Sequence, residues 1–234
     1  MYAVSELYNT IVAQDDHRFE VRVGIQGAGF HYMNKILSMA TSFRVFSADQ
    51  PAVGGCLSGE LDVTLLAPTS PVARMAKVRP QVRATNGTQT SEWIPQGVFY
   101  VDTRETTNND DGLAVLTLHC YDDMLRTEAD YPSTTHDWPM TDIQVVEEIA
   151  DTIGVDVDPR TTALMDKGYS IGLPVGYSMR EVLSNIAAMY AGNFIMNYDG
   201  QLRLVTLAEL PAETSYLVDQ QNDAITFGGD RILV

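Results

Sequence analysis

The densest run of chemically able side chains is His119-Cys120-Tyr121-Asp122-Asp123. Imidazole, thiol, phenol and carboxylate are the groups that bind metals or move protons. Their spacing disperses them. A strand sends alternate residues to opposite faces, so His119 and Tyr121 share one face while Cys120 and Asp122 share the other. Asp122 and Asp123 read instead as caps or turn residues for the segment entering Met124 and Leu125. His17, His31 and His136 have no HExxH, paired-histidine or Cys-His spacing around them. Asp15-Asp16-His17 imitates part of a relay but has no placed nucleophile, and reads as a solvated turn. A cell-wall hydrolase would need a carboxylate pair drawn from Asp15, Asp102, Glu105, Asp122 and Asp123, and no pair stands in a recognisable setting.

Other motifs are equally spare. Gly24, Gly27 and Gly29 lack the spacing and the following Lys-Ser/Thr of a phosphate loop. Asn108-Asn109-Asp110-Asp111-Gly112 opens on an asparagine where an EF-hand needs a carboxylate, and it is too short for that ligand set. Trp93 and Trp138 read as core or interface packing rather than as platforms for sugars. The residues alone thus give no catalytic, cofactor or metal site.

Composition narrows the classes further. The 234 residues are 45% hydrophobic, enough for one large domain or two small ones. A formal charge of −16 would repel phosphate backbones, so sequence-independent nucleic-acid binding is disfavoured. Two cysteines far apart, Cys56 and Cys120, make neither a disulfide framework nor a zinc pattern and read as buried thiols. The start MYAVSELYNT has no basic region followed by an apolar one, and no run reaches the length of a membrane span. The expectation is a soluble protein made in a cytoplasm.

The elements that would hold these residues are mostly strands. Met1 to Ala13 has a helical apolar face of Val4, Leu7, Tyr8 and Ile11. Phe19, Val21, Val23 and Ile25 alternate with polar or basic residues, as a half-buried strand does. Gly27 and Gly29 mark a turn, His31 to Ala40 is ambiguous between helix and strand, and Phe43 to Phe46 reads as a short strand. Further strands are expected over Leu57 to Leu66 and Ala76 to Ala84. The organising feature is a long hairpin, Val98 to Thr103 and Leu113 to Tyr121, turned by Asn108 to Gly112. One face of its second strand, Ala114, Leu116, Leu118 and Cys120, is apolar and should cover a core.

The character changes after Arg126. Tyr131 to Pro139 reads as a linker. Two helices follow with the same grammar, each opening on a capping box: Thr141 with Gln144, and Ser178 with Glu181. Met140 with Val145, and Tyr177 with Val182, are placed as hydrophobic staples. Gly154 and Gly192 are the expected stops. Val145, Val146, Ile149 and Ala150 correspond to Val182, Leu183, Ile186 and Ala187, which suggests paired helical units on one small sheet. A hairpin around Asp199-Gly200 should then set Ile195 against Leu204 and Asn197 against Leu202. Ile225 to Phe227 and Ile232 to Val234 read as strands; the last is an apolar run that either adds to an existing sheet or marks the chain as a fragment.

Three groups of stretches share an order with a known family. They are Gly54-Gly55-Cys56-Leu57-Ser58-Gly59-Glu60-Leu61; Trp93-Ile94-Pro95-Gln96-Gly97-Val98-Phe99-Tyr100-Val101-Asp102 with Ala114 to Leu125; and Tyr177 to Leu183, Ala191 to Phe194 and Asp199 to Leu204. In order and spacing the chain resembles the baseplate hub, or tail-associated structural protein, of bacteriophages and prophages, a relative of the contractile-tail central hub. The resemblance implies an α+β, mainly β chain: a tail-tube-like β-barrel over 1–130, a small α/β domain with two capped helices over 131–210, and the truncated start of a further β region over 211–234. It implies a structural role with no enzymatic activity, joining the tail tube to the tip and helping to form the DNA conduit. It also implies a homotrimer through barrel edges. The other partners would be distal tail or tail-tube proteins, a tail-tip or spike protein, and DNA that passes without specific binding. The location would be the virion tail, with no membrane span. Two alternatives stand beside it: a carbohydrate-binding β-module at the host surface using Trp93, Trp138 and the tyrosines, and a tail-associated cell-wall hydrolase fragment.

The helix starts give a direct test. Thr141→Ala and Ser178→Ala should each lower stability by about 1 kcal/mol in urea melts, the usual cost of a lost N-cap. Unchanged midpoints for both would mean the starts lie elsewhere.

Overall fold

A computed structural model describes residues 4–46, 51–132, 137–207, 226–227 and 230–231. The N-terminal helix is shorter than its apolar pattern: α1 spans Glu6–Val12, capped by the Ser5 hydroxyl on the Tyr8 amide. Of its expected face Ile11 is buried, while Leu7 is exposed.

The strands β1 (Arg18–Ile25), β2 (Gly29–Tyr32), β3 (Ile36–Ser42), β5 (Glu60–Leu66), β6 (Lys77–Thr85), β8 (Phe99–Asn108) and β9 (Ala114–Tyr121) form one sheet, with β7 (Ile94–Pro95) beside β6. The order is β2-β1-β6-β8-β9-β5-β3. Its two edge strands are consecutive in sequence, so the sheet bends round on itself. No ladder joins those edges among the described residues, and the expected closed barrel is corrected to an open, curled sheet. The physical reason is the tight turn at 33–35, closed by the Lys35 amide on the Tyr32 carbonyl, after which β3 pairs with β5 instead. The ambiguous stretch from His31 to Ala40 is thus two strands. Phe43 to Phe46 is not a strand, because β3 already ends at Ser42.

The concave side of this sheet holds one core. Leu61, Val63 and Leu65 meet Leu118, Cys120, Phe99 and Val101, all fully buried. Leu116, Leu118 and Cys120 lie inside as the alternation predicts, whereas Ala114 stays exposed near the turn. Burying each such aliphatic side chain contributes roughly 1.5–3 kcal/mol.

The expected strand from Leu57 to Leu66 is broken into β4 (Gly55–Leu57) and β5. At the break the Gly59 amide donates to the Asp122 carboxylate at 2.6 Å. Asp122 also caps the 3-10 turn Asp123–Glu128 through the Met124 amide, as its sequence position suggests. β4 then leaves the large sheet and pairs parallel with β12 (Gly192–Met196), which pairs antiparallel with β13 (Leu202–Thr206). On this small sheet sit α2 (Asp142–Ile153), α3 (Pro159–Leu164) and α4 (Met179–Met189) around a second core. Both capping boxes are present, and Gly154 ends α2 in the left-handed conformation. All eight corresponding helix residues from Val145 to Ala187 are buried. Cys56 and Met124, which precede residue 131, belong to this second core. Tyr131 and Trp138 of the expected linker pack there too, with Tyr131 donating to Glu148.

Two local expectations are corrected. The hairpin register is Phe194↔Leu204 and Met196↔Leu202, one residue away from that expected. Asn197 causes the slip: its side-chain oxygen accepts from the Asp199 and Gln201 amides, building a wider turn than a two-residue one. The slip keeps Phe194, Met196, Leu202 and Leu204 on the buried face. The second helix stops before Gly192. Ala191 takes the left-handed conformation (φ 50°), and Gly192 opens β12. A Cβ at Gly192 would lie 2.5 Å from the Val205 carbonyl oxygen. Of the expected terminal strands, Thr226–Phe227 pairs with Asp230–Arg231; Ile225 and Ile232 to Val234 lie outside the described residues.

Gly192→Ala should therefore destabilise the chain by about 2 kcal/mol or more, the cost of forcing a tightly packed backbone apart. Chemical denaturation checks it, with Gly172→Ala as the comparison for a glycine with open space around it and no left-handed backbone.

Candidate functional site

The side chains with unusual surroundings lie on the convex face of β1 and β6. Val23 and Ile25 point to the core, so Arg18, Glu20 and Arg22 point out. The register Glu20↔Arg83, Arg22↔Gln81 and Gly24↔Arg79 puts Lys77, Arg79 and Arg83 on the same face. Five of the chain's 15 basic residues thus share one sheet face of a protein whose net charge is −16.

Aromatic rings interleave with these cations. The Arg22 guanidinium lies 4.4 Å from the Phe30 ring and 4.3 Å from the Trp93 ring, and Arg83 lies 4.3 Å from Trp93. Tyr32 meets Trp93 edge-on at 6.4 Å between centroids. Gly24 makes room for this arrangement: a Cβ there would come within 2.8 Å of the Phe30 ring. Arg22 is further held by the Gln81 side chain at 2.6 Å, and Arg83 by Glu20 at 2.6 Å. Such stacked pairs contribute about 0.5–1 kcal/mol each at exposed sites and fix the side chains in place. Beside the ladder, Glu20, Tyr32, Met33, Asn34 and Trp93 line a cleft of about 360 Å³. Phe30 is 54%, Tyr32 47% and Met33 52% exposed.

The residues singled out by chemistry are not brought together. Cys120 is in the core and Cys56 in the second core; burial pushes their thiols up to about 12 and about 11, so neither is a reactive thiolate at neutral pH. Asp122 is buried, and burial pushes its carboxyl up to about 7 against the pull of its two amide donors. Asp123 pairs with Arg126, and Asp102 with Arg74 at 3.2 Å. Asp15 lies in an exposed turn, and Glu105 is on the exposed part of β8. His17 contacts the Gln14 carbonyl and the Phe19 ring. His119 shares its outward face with Tyr121, as expected, and its Nδ1 is 2.7 Å from Asp62, a cross-strand partner that local spacing does not reveal. His136 lies outside the described residues. Asn109 closes the hairpin turn onto the Leu113 amide, leaving Asp110 and Asp111 exposed. Among the described residues no cluster of three or more His, Cys, Asp or Glu is placed to hold a metal ion, and no helix is long and apolar enough to cross a membrane.

The sequence favours core or interface packing for Trp93, with Trp93 and the tyrosines as sugar contacts in the alternative, and marks no role for Arg22, Arg83 or Phe30. The available signal was the basic alternation of Arg18, Arg22, Arg79 and Arg83 in two strands, which has meaning only once those strands are neighbours.

The comparisons with known proteins bear on the fold. No family model matches the chain, and no curated protein sequence matches it. Solved structures do, two tail proteins among them. One is the 43 kDa tail protein of prophage MuSo2 from Shewanella oneidensis: TM-score 0.59, 15% identity, covering 85% of this chain and 59% of that one. The other is a tail protein from Neisseria meningitidis MC58: TM-score 0.55, 12% identity, covering 89% of this chain and 59% of that one. The chain has the fold of these tail proteins. It spans about three fifths of their length.

His31 supplies a pH test of the face's support. It lies opposite Val23 on β2 and is buried. Burial, then the nearby Lys35 charge, lowers its pKa; the Ala28 backbone opposes this weakly. The unfolded chain therefore binds the proton more readily than the fold. The stability tied to neutral His31 is complete above the unfolded value of about 6.5 and is lost as pH falls below it. The difference in stability between wild type and His31→Leu should thus shift in favour of the variant on going from pH 7.5 to pH 5. Parallel pH profiles in urea melts would show that His31 does not titrate against the fold.

Proposed function

We propose that the chain is a structural component of a phage or prophage tail, acting as a hub or tip adaptor between tail tube and tip. The single observation carrying this reading is the shared fold: two tail proteins match over 85% and 89% of the chain despite minimal sequence identity. The scattering of its candidate catalytic groups into caps, ion pairs and cores fits a structural rather than an enzymatic role. In this reading its partners are further copies of itself in a homotrimer, the tail-tube or distal tail protein above, and a tip or spike protein below. Its location is the virion tail.

The charge distribution suits the role. DNA passing through a tail must not be held, and a basic wall would trap it through counterion release. With 31 acidic against 15 basic residues the chain can present acidic surface to the conduit. The basic sheet face would then turn towards protein neighbours.

Antibody labelling of purified particles from an induced host should place the protein at the end of the tail, and a nonsense mutation in its gene should yield tails lacking that end. Absence from purified particles, or turnover of purified cell wall by the isolated chain, would overturn the reading.

A further inference from the structure

We propose that the cleft on the β1–β2 face is a docking site for the β8–β9 hairpin tip of a second copy of this chain. The inference deepens the self-assembly part of the proposed function by naming the two surfaces that meet.

The receiving surface is concave, with Tyr32, Met33 and Trp93 walling a cleft of about 360 Å³. Arg22 and Arg83 flank it, and their ladder holds Trp93 in place before any partner arrives. Tryptophan, tyrosine and arginine are the residue types that carry most binding energy at interfaces. Preorganised side chains also lose less entropy on binding.

The complementary surface lies on the same chain. Above Tyr100 the strand β8 parts from β6, since their ladder covers only Lys77↔Tyr100 and Val78↔Phe99. Thr103 to Asn108 are therefore exposed without exception, and the hairpin tip beyond them carries Asp110, Asp111 and Leu113. Leu113 is 52% exposed although it is a large aliphatic residue. No ion pair among the described residues engages Glu105, Asp110 or Asp111. The tip thus sets Leu113 beside the carboxylates of Asp110 and Asp111, and the cleft sets Tyr32, Met33 and Trp93 beside Arg22 and Arg83; Glu20, which also lines the cleft, is taken up by Arg83, and the face around it stays basic through Arg18 and Arg22. An acidic macromolecule is the fitting occupant, and a second copy offers the matching shape as well as the charge.

Tip and cleft are different patches, so the contact is heterologous and adds copies head to tail, giving a closed ring or an open chain. This makes a sharp test. Sedimentation velocity of the full chain should show self-association that weakens with salt, as contacts between opposite charges do. Asp110→Lys with Asp111→Lys, and separately Leu113→Ser, alter only exposed residues; each should weaken association by about tenfold or more. Tyr32→Ala should do the same from the other side. A mixture of the Asp110→Lys/Asp111→Lys chain with the Tyr32→Ala chain should form heterodimers and nothing larger, because only one intact tip and one intact cleft remain.

Self-association untouched by both tip variants would overturn the proposal, as would a wild-type chain that stays monomeric at the highest attainable concentration. Binding of duplex DNA or of a glycan lost in Tyr32→Ala, with the tip variants indistinguishable from wild type, would assign the cleft to another partner and overturn it too. None of these results depends on whether the protein is found in purified tails, so the two readings fail separately.

Discussion

The Arg180 guanidinium holds together three segments that are far apart in sequence. It donates to the Cys56 carbonyl at 2.7 Å, the Ser58 hydroxyl at 3.1 Å and the Met124 carbonyl at 2.9 Å, and its Nε lies 2.8 Å from Glu128 as an ion pair rather than an aligned hydrogen bond. Those groups sit where the chain leaves the small sheet for the large one and where it returns. A planar, permanently charged fork with several donors suits such a junction, and a lysine could not satisfy three acceptors in the same geometry. Two of the acceptors are partly buried backbone carbonyls, so losing the fork would remove a charged donor from each of them, with the Thr127 hydroxyl still donating to Met124; that costs more than a surface ion pair contributes.

Around that junction the neighbouring contacts become consistent. Asp122 accepts the Gly59 amide and starts the 3-10 turn, and Gly59 has no side chain because Phe43 and the Asp122 carboxylate already occupy the space. Asn193 caps β4 with its side-chain oxygen on the Gly55 amide, while its nitrogen donates to the Val45 and Ala52 carbonyls. A short parallel strand is thereby fixed at both ends. The two cores share this seam, so the large sheet and the helical part are tied by backbone pairing as well as side-chain packing. The same arrangement leaves the far side of the large sheet, with its Arg–Trp ladder, facing solvent and available for contact.

Much of the local structure was legible in the sequence for simple reasons. The capping boxes at Thr141 and Ser178 work over three residues, and the inward parity of Leu116, Leu118 and Cys120 follows from strand geometry alone. The turn at Asn108 to Gly112 and the capping role of Asp122 also depend on residues within reach of one another along the chain. Two local expectations failed by a single residue: the Asn197 side chain bonds to two amides and widens the turn, and Ala191 accepts the left-handed conformation that a glycine was expected to take. In both cases the buried faces of Phe194 and Leu204 decide the register, because slipping it would turn them to water.

The sequence by itself determined the strand-rich first part, the helix starts, the buried thiols, the acidic charge and the dispersal of every candidate catalytic group. Tertiary structure alone decided whether the sheet closes, which strand β4 joins, and which arginines meet Trp93. The reason is that those outcomes are pairings between residues tens of positions apart. Arg22, Phe30, Arg83 and Trp93 carry no common local pattern, and only the order β2-β1-β6 with β7 beside it brings them to one face. A strand's alternation says which side chains point the same way; it does not say which strand lies next to it.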